Sequence, residues 1–312
     1  MIGAFRFIVK YAIGFVLILF AVVLSIVAPN FLTVGNFQNI LLQVSVNGLL
    51  AIGATLTILT GGIDLSVGSL VGFTGIVAAL FARDAGPAHF TEALIAGIFA
   101  GLALGALNGA FIAFARIPPF VVTLGMMSIA RSLAFVFSQG QPISNLSNEF
   151  LALGQKALLG IPYPVWITAG AFIVFAVVLT RMRFGRYVYA VGGNEEAAIV
   201  SGVDTKTVKL AVYALSGMLA GLAGAVLASR ATAGLPSNGE GYELTAIAAA
   251  VIGGTSLSGG RGTLLGTLAG VLILGIMSNG LDLLNVSPFY QGSIQGTIII
   301  GAVAIDALVN RK

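Results

Sequence analysis

The chain has 312 residues, of which 58% are hydrophobic and only 8% are charged, and its formal net charge is +4. Soluble domains carry roughly 25% charged residues because their surface is hydrated, so this composition, with a mean hydropathy of +1.04, excludes a water-soluble globular protein. Cysteine is absent and histidine occurs once, so we expect no disulfide framework, no metal site and no cysteine nucleophile.

Ten apolar runs follow one another along the chain, each close to the length of about 20 residues that crosses a bilayer as a helix. The predicted spans are residues 11–28, 39–60, 66–82, 92–115, 119–138, 163–180, 207–229, 242–254, 263–281 and 289–309. We expect the first to be a retained span rather than a cleaved signal, since Pro29 follows the plausible cleavage point directly. The eighth is too short to cross unless it is extended or partly re-entrant. The prediction is an all-α polytopic transmembrane helical bundle that forms a single domain over residues 1–312.

Basic residues indicate how this bundle is oriented, because cytoplasmic loops retain positive charge. With the N-terminus inside, only Arg83, Lys156 and Arg230 fall in external loops. The predicted cytoplasmic segments hold Arg6, Lys10, Arg116, Arg181, Arg183, Arg186, Lys206, Lys209, Arg261, Arg311 and Lys312. Both termini are therefore expected in the cytoplasm, as an even number of spans requires.

Glycine patterns suggest internal duplication and close helix packing. Residues 61–68 (GGIDLSVG) and 253–260 (GGTSLSGG) both read GGxxLSxG, and each lies between two apolar runs. They are either equivalent parts of duplicated halves or glycine-rich turns that look alike by chance. Glycine also recurs at every fourth position over 97–109 and 262–270, a spacing that favours close approach of helices in lipid.

Few polar side chains lie inside the spans, and each is a functional candidate because lipid offers it no partner. Gln43 and Asn47 are four residues apart and share a helix face. Neutral amides suit a sugar, whose hydroxyls both donate and accept hydrogen bonds, although bonding between helices explains such residues equally well. The predicted translocation-path residues are Gln43, Asn47, Asp64, Ser66, Asn108 and Asn279.

Two charged residues, Asp64 beside a span and Arg131 in the middle of one, need a separate explanation. Asp64 is expected to cap the helix that begins near Leu65, with a gating or coupling contact as the alternative. Arg131 interrupts an apolar run, so it must reach the interface, pair with an acid or line water. Glu243 and Glu149 are its possible partners.

The longest polar interruption covers residues 181–209 and is the predicted docking surface. Asn194 is expected to cap a short helix with Glu195 and Glu196 in its first turn, where the helix dipole favours acids. Gly202 is expected to end that helix. A short amphiphilic helix in a cytoplasmic loop suits insertion into a groove of a soluble partner, whereas the alternative is a solvated loop anchored by its positive charge.

Three segments carry a resemblance to a known family: residues 28–70 (APNFLTVGNFQNILLQVSVNGLLAIGATLTILTGGIDLSVGSL), 185–203 (GRYVYAVGGNEEAAIVSGV) and 242–275 (YELTAIAAAVIGGTSLSGGRGTLLGTLAGVLILG). Together they resemble the permease subunits of ribose-type ABC transporters. The resemblance implies import of a monosaccharide, ribose or a related pentose or hexose, across the bacterial inner membrane. It also implies a homodimer, a cytoplasmic ATPase that binds ATP and magnesium, an external sugar-binding protein and surrounding lipid, with no nucleic acid and no cofactor on this chain.

The same resemblance assigns the contact with the ATPase to the segment from Arg186 to Gly202. The implied coupling residues are Arg186, Tyr189, Gly192, Asn194, Glu195, Glu196, Ala198 and Gly202. The sequence agrees on one independent point: it contains no GxxxxGK[ST] phosphate loop, so ATP must be hydrolysed on another chain. The loops 139–162 and 231–242 are candidates for receiving the binding protein, or are connectors only.

Two other classes of function are open from the residues alone. An ion-coupled secondary transporter also needs many spans, but it usually carries membrane-embedded acids or histidines, and here the acids lie in loops or at helix ends. A membrane-embedded enzyme would need a catalytic motif such as HExxH or paired carboxylates, and the sequence has none. We therefore expect a transport subunit without catalytic residues.

Overall fold

A computed structural model describes residues 2–83, 87–287, 290–294, 296–297 and 300–301. The predicted tenth span, 289–309, and the basic residues Arg311 and Lys312 lie largely or wholly outside the described residues. Elsewhere the chain is almost entirely helical, which confirms the all-α class. The ten-span count and the cytoplasmic termini remain predictions.

Twelve helices and one two-stranded hairpin have defined bounds in the described part of the chain, and residues 290–294, 296–297 and 300–301 are also helical. The helices are α1 (Ile2–Val27), α2 (Val34–Leu59), α3 (Val67–Ala82), α4 (Pro87–Ala113), α5 (Pro119–Ser138), α6 (Asn148–Gln155), α7 (Tyr163–Arg181), α8 (Arg183–Gly193), α9 (Glu195–Val200), α10 (Thr205–Arg230), α11 (Tyr242–Ile252) and α12 (Leu264–Leu283). The strands β1 (Ala157–Leu158) and β2 (Ile161–Pro162) pair antiparallel between α6 and α7.

Six of these helices, α2, α4, α5, α7, α10 and α12, are long and apolar enough to cross a membrane, and α3 and α11 are shorter apolar helices. Helix α2 begins five residues before its predicted start because the side chain of Thr33 accepts a hydrogen bond from the backbone N–H of Asn36, an N-cap that sequence hydropathy does not register. Helix α11 has only 11 residues, in keeping with the expectation that the eighth run does not cross on its own.

Helix α10 occupies the centre of the bundle and packs on α4, α3 and α2. The predicted glycine spacing is the cause of the closest of these contacts. A Cβ added to Gly101 would lie 2.9 Å from the amide nitrogen of Gly221, and one added to Gly105 would lie 2.9 Å from the Cα of Gly217. Backbones at this separation gain van der Waals contact that lipid cannot supply, which confirms the packing interpretation of this glycine series.

Helix α12 packs on α11 and α2 by the same means. A Cβ on Gly270 would lie 2.9 Å from the carbonyl carbon of Ala249. A hydroxyl pair between α2 and α12, Thr55 with Thr267 at 2.7 Å, adds a buried hydrogen bond to this contact. The two helices are therefore held side by side along the wall of a cavity described below.

The bundle has two distinguishable ends. At the α6 end, the amide of Ser147 donates to the carbonyl of Ala82 and the amide of Gly154 donates to Ser229 Oγ, at 2.8 and 2.7 Å. At the α8 end lie α8, α9 and both GGxxLSxG turns. The predicted cytoplasmic side corresponds to the α8 end.

Candidate translocation cavity and coupling segment

A polar cavity of about 490 Å³ opens between α2, α12 and the start of α11. Its wall includes amide, hydroxyl and carboxylate side chains as well as aliphatic ones, a mixture that suits a small hydrated solute. The lining residues are Gln43, Asn47, Glu240, Gly241, Tyr242, Thr245, Leu274, Gly275, Met277, Ser278, Leu281, Gln291 and Gly292. By contrast, a cavity of about 320 Å³ between α2, α7 and α12 is lined almost wholly by apolar side chains, as suits lipid.

Two of the predicted path residues lie together in the polar cavity. Gln43 Nε2 donates to Ser278 Oγ at 3.2 Å, which joins α2 to α12 at the cavity wall. The side-chain oxygen of Asn47 is buried and accepts no hydrogen bond from any described residue. A buried acceptor without a partner costs about 1–3 kcal/mol, which keeps Asn47, as a lining residue, a candidate for contact with a solute.

The other four predicted path residues do not line this cavity. Asp64, Ser66 and Asn108 form a separate buried cluster with Ser216 of α10. One Asp64 oxygen accepts from the amide and the hydroxyl of Ser66 at 3.0 and 2.6 Å, and the other accepts from the Ser216 hydroxyl at 2.9 Å. Asn108 donates to Ser66 Oγ at 2.9 Å. The cluster joins the turn after α2 to α4 and α10.

Two details of the sequence interpretation change here. Helix α3 starts at Val67 with Ser66 in the N-cap position and no side-chain cap, so the expectation that Asp64 caps a helix from Leu65 is wrong. The carboxylate instead satisfies groups of the turn itself. Asn279 lies on α12 but pairs with Asn36 in a reciprocal amide contact, at 2.9 and 2.7 Å.

Sequence reasoning missed the contribution of the loop 231–241, whose end supplies Glu240 and Gly241 to the cavity, followed by Tyr242 and Thr245 of α11. This loop starts at the α6 end and descends along α3: Gly234 lies against Ala79, and Gly239 lies against Gly68. At 1.5 Å per helical residue that descent is about 16 Å. The one available signal was the short eighth run, for which a partly re-entrant element was one of two alternatives.

The segment predicted to contact the ATPase, called the coupling segment below, consists of α8 and α9 at the α8 end. Asn194 Oδ1 accepts from the amide of Ala197 at 2.9 Å, which confirms it as the cap of α9. Gly202 has φ +83 and follows the last turn, where the amide of Val203 bonds the carbonyl of Ala198 at 3.0 Å, so it ends the helix as predicted. Glu195 forms an ion pair with Lys209 at 2.6 Å.

The predicted coupling residues divide by exposure. Arg186, Asn194, Glu196 and Gly202 are exposed, and Tyr189, Gly192 and Glu195 are partly buried. Ala198 is only 5% exposed, so it packs inside this chain and is not positioned to touch a partner. The exposed apolar residues of α9 are instead Ile199 and Val200, which are 55% and 90% exposed.

The coupling segment contacts the end of α2 and the glycine-rich turn before α12. Tyr189 Oη donates to the carbonyl of Gly262 at 2.8 Å, and burial raises the pKa of this hydroxyl, so that it keeps its proton. A Cβ on Gly192 would collide with the Leu59 carbonyl and lie 2.6 Å from the amide nitrogen of Gly260. That amide donates to the Leu59 carbonyl at 3.0 Å. The C-terminus of α2, the turn before α12 and α8 thus meet at one point, which we call the glycine junction (Leu59, Gly192, Gly260).

The apolar helical bundle encloses a polar cavity, and an exposed helix pair is attached to the ends of the cavity helices. These are the features of a membrane transport subunit. The family model described as branched-chain amino acid transport system, permease component, matches residues 36–303. The chain is 45% identical to the ribose import permease protein RbsC of Escherichia coli (strain K12) over 93% of this chain and 91% of the relative. It is 45% identical to the protein of that name in Bacillus subtilis (strain 168), over 93% and 90%.

A further relative is the D-allose transport system permease protein AlsC of Escherichia coli (strain K12), 39% identical over 97% of this chain and 93% of the relative. No solved structure matches the chain. The chain belongs to this family of ABC-importer permease components, so it is a transport subunit rather than an enzyme and a multi-pass protein of the inner membrane. The predicted resemblance to sugar permeases is confirmed.

Proposed function

We propose that this chain forms the sugar path of an ATP-driven importer for ribose or a closely related pentose or hexose. Two copies would enclose the path, with an ATPase at the α8 end and a sugar-binding protein at the α6 end. ATP and magnesium would bind to the ATPase. Membership of the family supports both soluble partners, and the relatives named for ribose and allose support the class of sugar.

The observation that carries the proposal is the glycine junction. Helix α2 ends there at Leu59 and carries Gln43 and Asn47 toward the cavity. Helix α12 begins just after Gly260 and carries Ser278 to the opposite wall. A displacement of α8 therefore acts on the inner ends of both cavity helices, which is the connection that coupled transport requires.

The exposed face of α9 supports docking of the ATPase. Val200 is 90% exposed at an end of the bundle that also carries charged residues. An apolar side chain of this kind, beside the exposed Ile199, fits a groove on a soluble protein. The ion pair between Glu195 and Lys209 ties α9 to α10 and holds that face in place.

The test is co-expression of the chain with the genes that flank it, purification in nanodiscs and measurement of ATP hydrolysis with ribose, allose and arabinose. We expect an ATPase to co-purify and its activity to rise with one sugar and the binding protein. Val200→Glu should abolish co-purification of the ATPase. Leu159→Glu, which changes a residue 87% exposed at the α6 end, is the matched control and should retain it.

Uptake of solute without ATP, by the chain alone in proteoliposomes, would replace this proposal with an ion-coupled secondary transporter. Normal co-purification of the ATPase with Val200→Glu would contradict the assignment of α9 as its docking surface while leaving the class of transporter intact.

A further inference from the structure

Arg131 lies in the middle of α5, twelve residues after Pro119, in a helix that carries no other charged residue. An arginine at that depth is costly unless protein groups receive its charge. Its Nη1 donates to the carbonyl oxygens of Pro236 and Asn238, at 2.6 and 2.9 Å. The carboxylates of Glu240 and Glu243 also attract the guanidinium. Glu149, one of the two partners suggested by the sequence, is not among these contacts.

The loop that Arg131 holds is seated directly on the backbone of α3. A Cβ added to Gly72 would lie 2.8 Å from the carbonyl oxygen of Asn238, 2.9 Å from Arg131 Nη1 and 3.1 Å from the carbonyl oxygen of Pro236. One added to Gly68 would collide with the Glu243 carboxylate and the Gly239 carbonyl. The absence of side chains at positions 68 and 72 therefore creates the space in which the loop and the guanidinium fit.

The conformation of the loop depends on its contacts with α3 and Arg131. Its turns are short, with the amide of Asn238 bonded to the carbonyl of Leu235 at 3.1 Å and that of Tyr242 bonded to Gly239 at 3.2 Å. Gly239 and Gly241 have φ +76 and +78, a region that glycine adopts without strain. Irregular backbone at membrane depth is tolerated only where protein groups or a water-filled cavity satisfy it, and Arg131 satisfies two of its carbonyls.

Beyond the clamped carbonyls, the same loop forms one wall of the polar cavity through Glu240, Gly241 and Tyr242. We propose that Arg131 is a positioning residue of the translocation path: by clamping the carbonyls of Pro236 and Asn238, it fixes the wall that a polyhydroxylated solute contacts. A carboxylate and a phenol on one wall, opposite the amides of α2, can accept and donate hydrogen bonds to neutral hydroxyls. That the solute is a sugar rests on the proposed function, whereas the clamp itself does not.

The natural chain contains no cysteine, so a single spin label can be placed on the loop. Ser237 is exposed and lies between the two clamped carbonyls, and Ser237→Cys is the labelled parent. In nanodiscs we expect its electron paramagnetic resonance spectrum to show an immobilised label. Arg131→Met should convert most of that signal to a mobile one, and Arg131→Lys, which keeps a donor, should restore part of the immobilised signal.

Gly72→Ala is the second variant, because its Cβ crowds the carbonyls of Pro236 and Asn238 and the end of the Arg131 side chain while the arginine itself is retained. Gly125→Ala is its matched control: it lies on α5, and a Cβ there meets nothing within 4 Å. We expect a mobile label with Gly72→Ala and an immobilised one with Gly125→Ala. If Arg131→Met fails to insert in the membrane, the Gly72→Ala spectrum decides, and an immobilised label there overturns the proposal.

Transport provides a readout that a purely structural role would leave unchanged. In the complete importer, the ratio of ribose to allose uptake is independent of how much permease is inserted. Loss of a positioned polar wall should change that ratio by about tenfold, the upper end of what one net hydrogen bond contributes, in Arg131→Met and Gly72→Ala but not in Gly125→Ala. A mobile label with an unchanged ratio would contradict the role in the path. Failure of ATP-driven uptake in the parent would instead refute the proposed function, with the label result still valid for the clamp.

Discussion

Two adjacent glycines at the end of α8 allow a sharp test of the glycine junction. A Cβ on Gly192 would collide with the carbonyl oxygen of Leu59 and lie 2.6 Å from the amide nitrogen of Gly260, whereas a Cβ on Gly193 meets nothing within 4 Å. Both neighbours of Gly192 are backbone atoms, so no side chain can rotate away, and the hydrogen bond between Gly260 and Leu59, 3.0 Å long, must lengthen. Gly192→Ala therefore separates α8 from the inner ends of α2 and α12.

The magnitude follows from two opposing terms. Alanine in place of glycine favours a helix by roughly 0.5–1 kcal/mol, and this term is shared by both variants. Overpacking against rigid groups costs about 1–3 kcal/mol, and only Gly192→Ala incurs it. We thus expect Gly193→Ala to match the parent, and Gly192→Ala to lose about tenfold in sugar-stimulated ATP hydrolysis, since about 1.4 kcal/mol corresponds to a factor of ten.

The assay is ATP hydrolysis by the assembled importer in nanodiscs, with and without the sugar-loaded binding protein, after size-exclusion chromatography has shown that the complex is intact. If Gly192→Ala and Gly193→Ala are stimulated equally, the contact with Leu59 does not transmit the movement, and the reasoning fails. If the importer complex with Gly192→Ala does not assemble, we expect the complex with Gly192→Ser to fail as well, because serine also carries a Cβ.

Three further predictions concern single polar groups. Asn47→Leu should reduce sugar uptake while the ATPase still co-purifies, and unchanged uptake would return Asn47 to a packing role. Asp64→Leu should lower the temperature at which half of the protein remains monodisperse, because it leaves the Ser216 hydroxyl unpaired at a cost of about 1–3 kcal/mol. Asp64→Asn can still bond that hydroxyl, so it should lower this temperature much less. Equal decreases for the two variants would contradict the role of this hydrogen bond. Asn36→Leu should lower the same temperature, because it leaves the Asn279 amide without its partner, and replacing both residues by leucine should recover most of that stability. Additive losses of stability would refute the pairing.

Much of the bundle could be predicted because lipid imposes simple constraints on sequence. Apolar length predicts where helices run, and the Asn194 cap and the Gly202 end follow from local backbone chemistry that does not depend on distant residues. The face shared by Gln43 and Asn47 is a helical repeat, so their common position in the cavity was also accessible from spacing. These features are local, and local rules suffice for them.

The remaining features arise from tertiary contacts. An arginine in an apolar helix suggests an acidic partner, but Arg131 hydrogen-bonds to backbone carbonyls of Pro236 and Asn238, and every residue carries a carbonyl. Likewise, Asn108 and Asn279 both appear as amides in spans, yet one joins the Asp64 cluster and the other pairs with Asn36. Sequence identifies polar groups that need partners but does not say which partner, or which cavity, they reach.

A loop at membrane depth and an arginine at membrane depth are each unfavourable alone, since the loop has unsatisfied carbonyls and the arginine has an unsatisfied charge. In this chain the guanidinium of Arg131 bonds the loop carbonyls, so each group satisfies the other. The loop 231–241 therefore cannot leave α3 without exposing its carbonyls and the arginine charge to lipid. On the proposed role of Arg131, the cavity wall that carries Glu240 stays fixed, whereas α2 and α12 on the other side are attached at the glycine junction to the proposed coupling segment. Movement from the ATPase should accordingly displace the amide wall of Gln43 and Asn47 relative to a stationary loop, rather than move the loop itself.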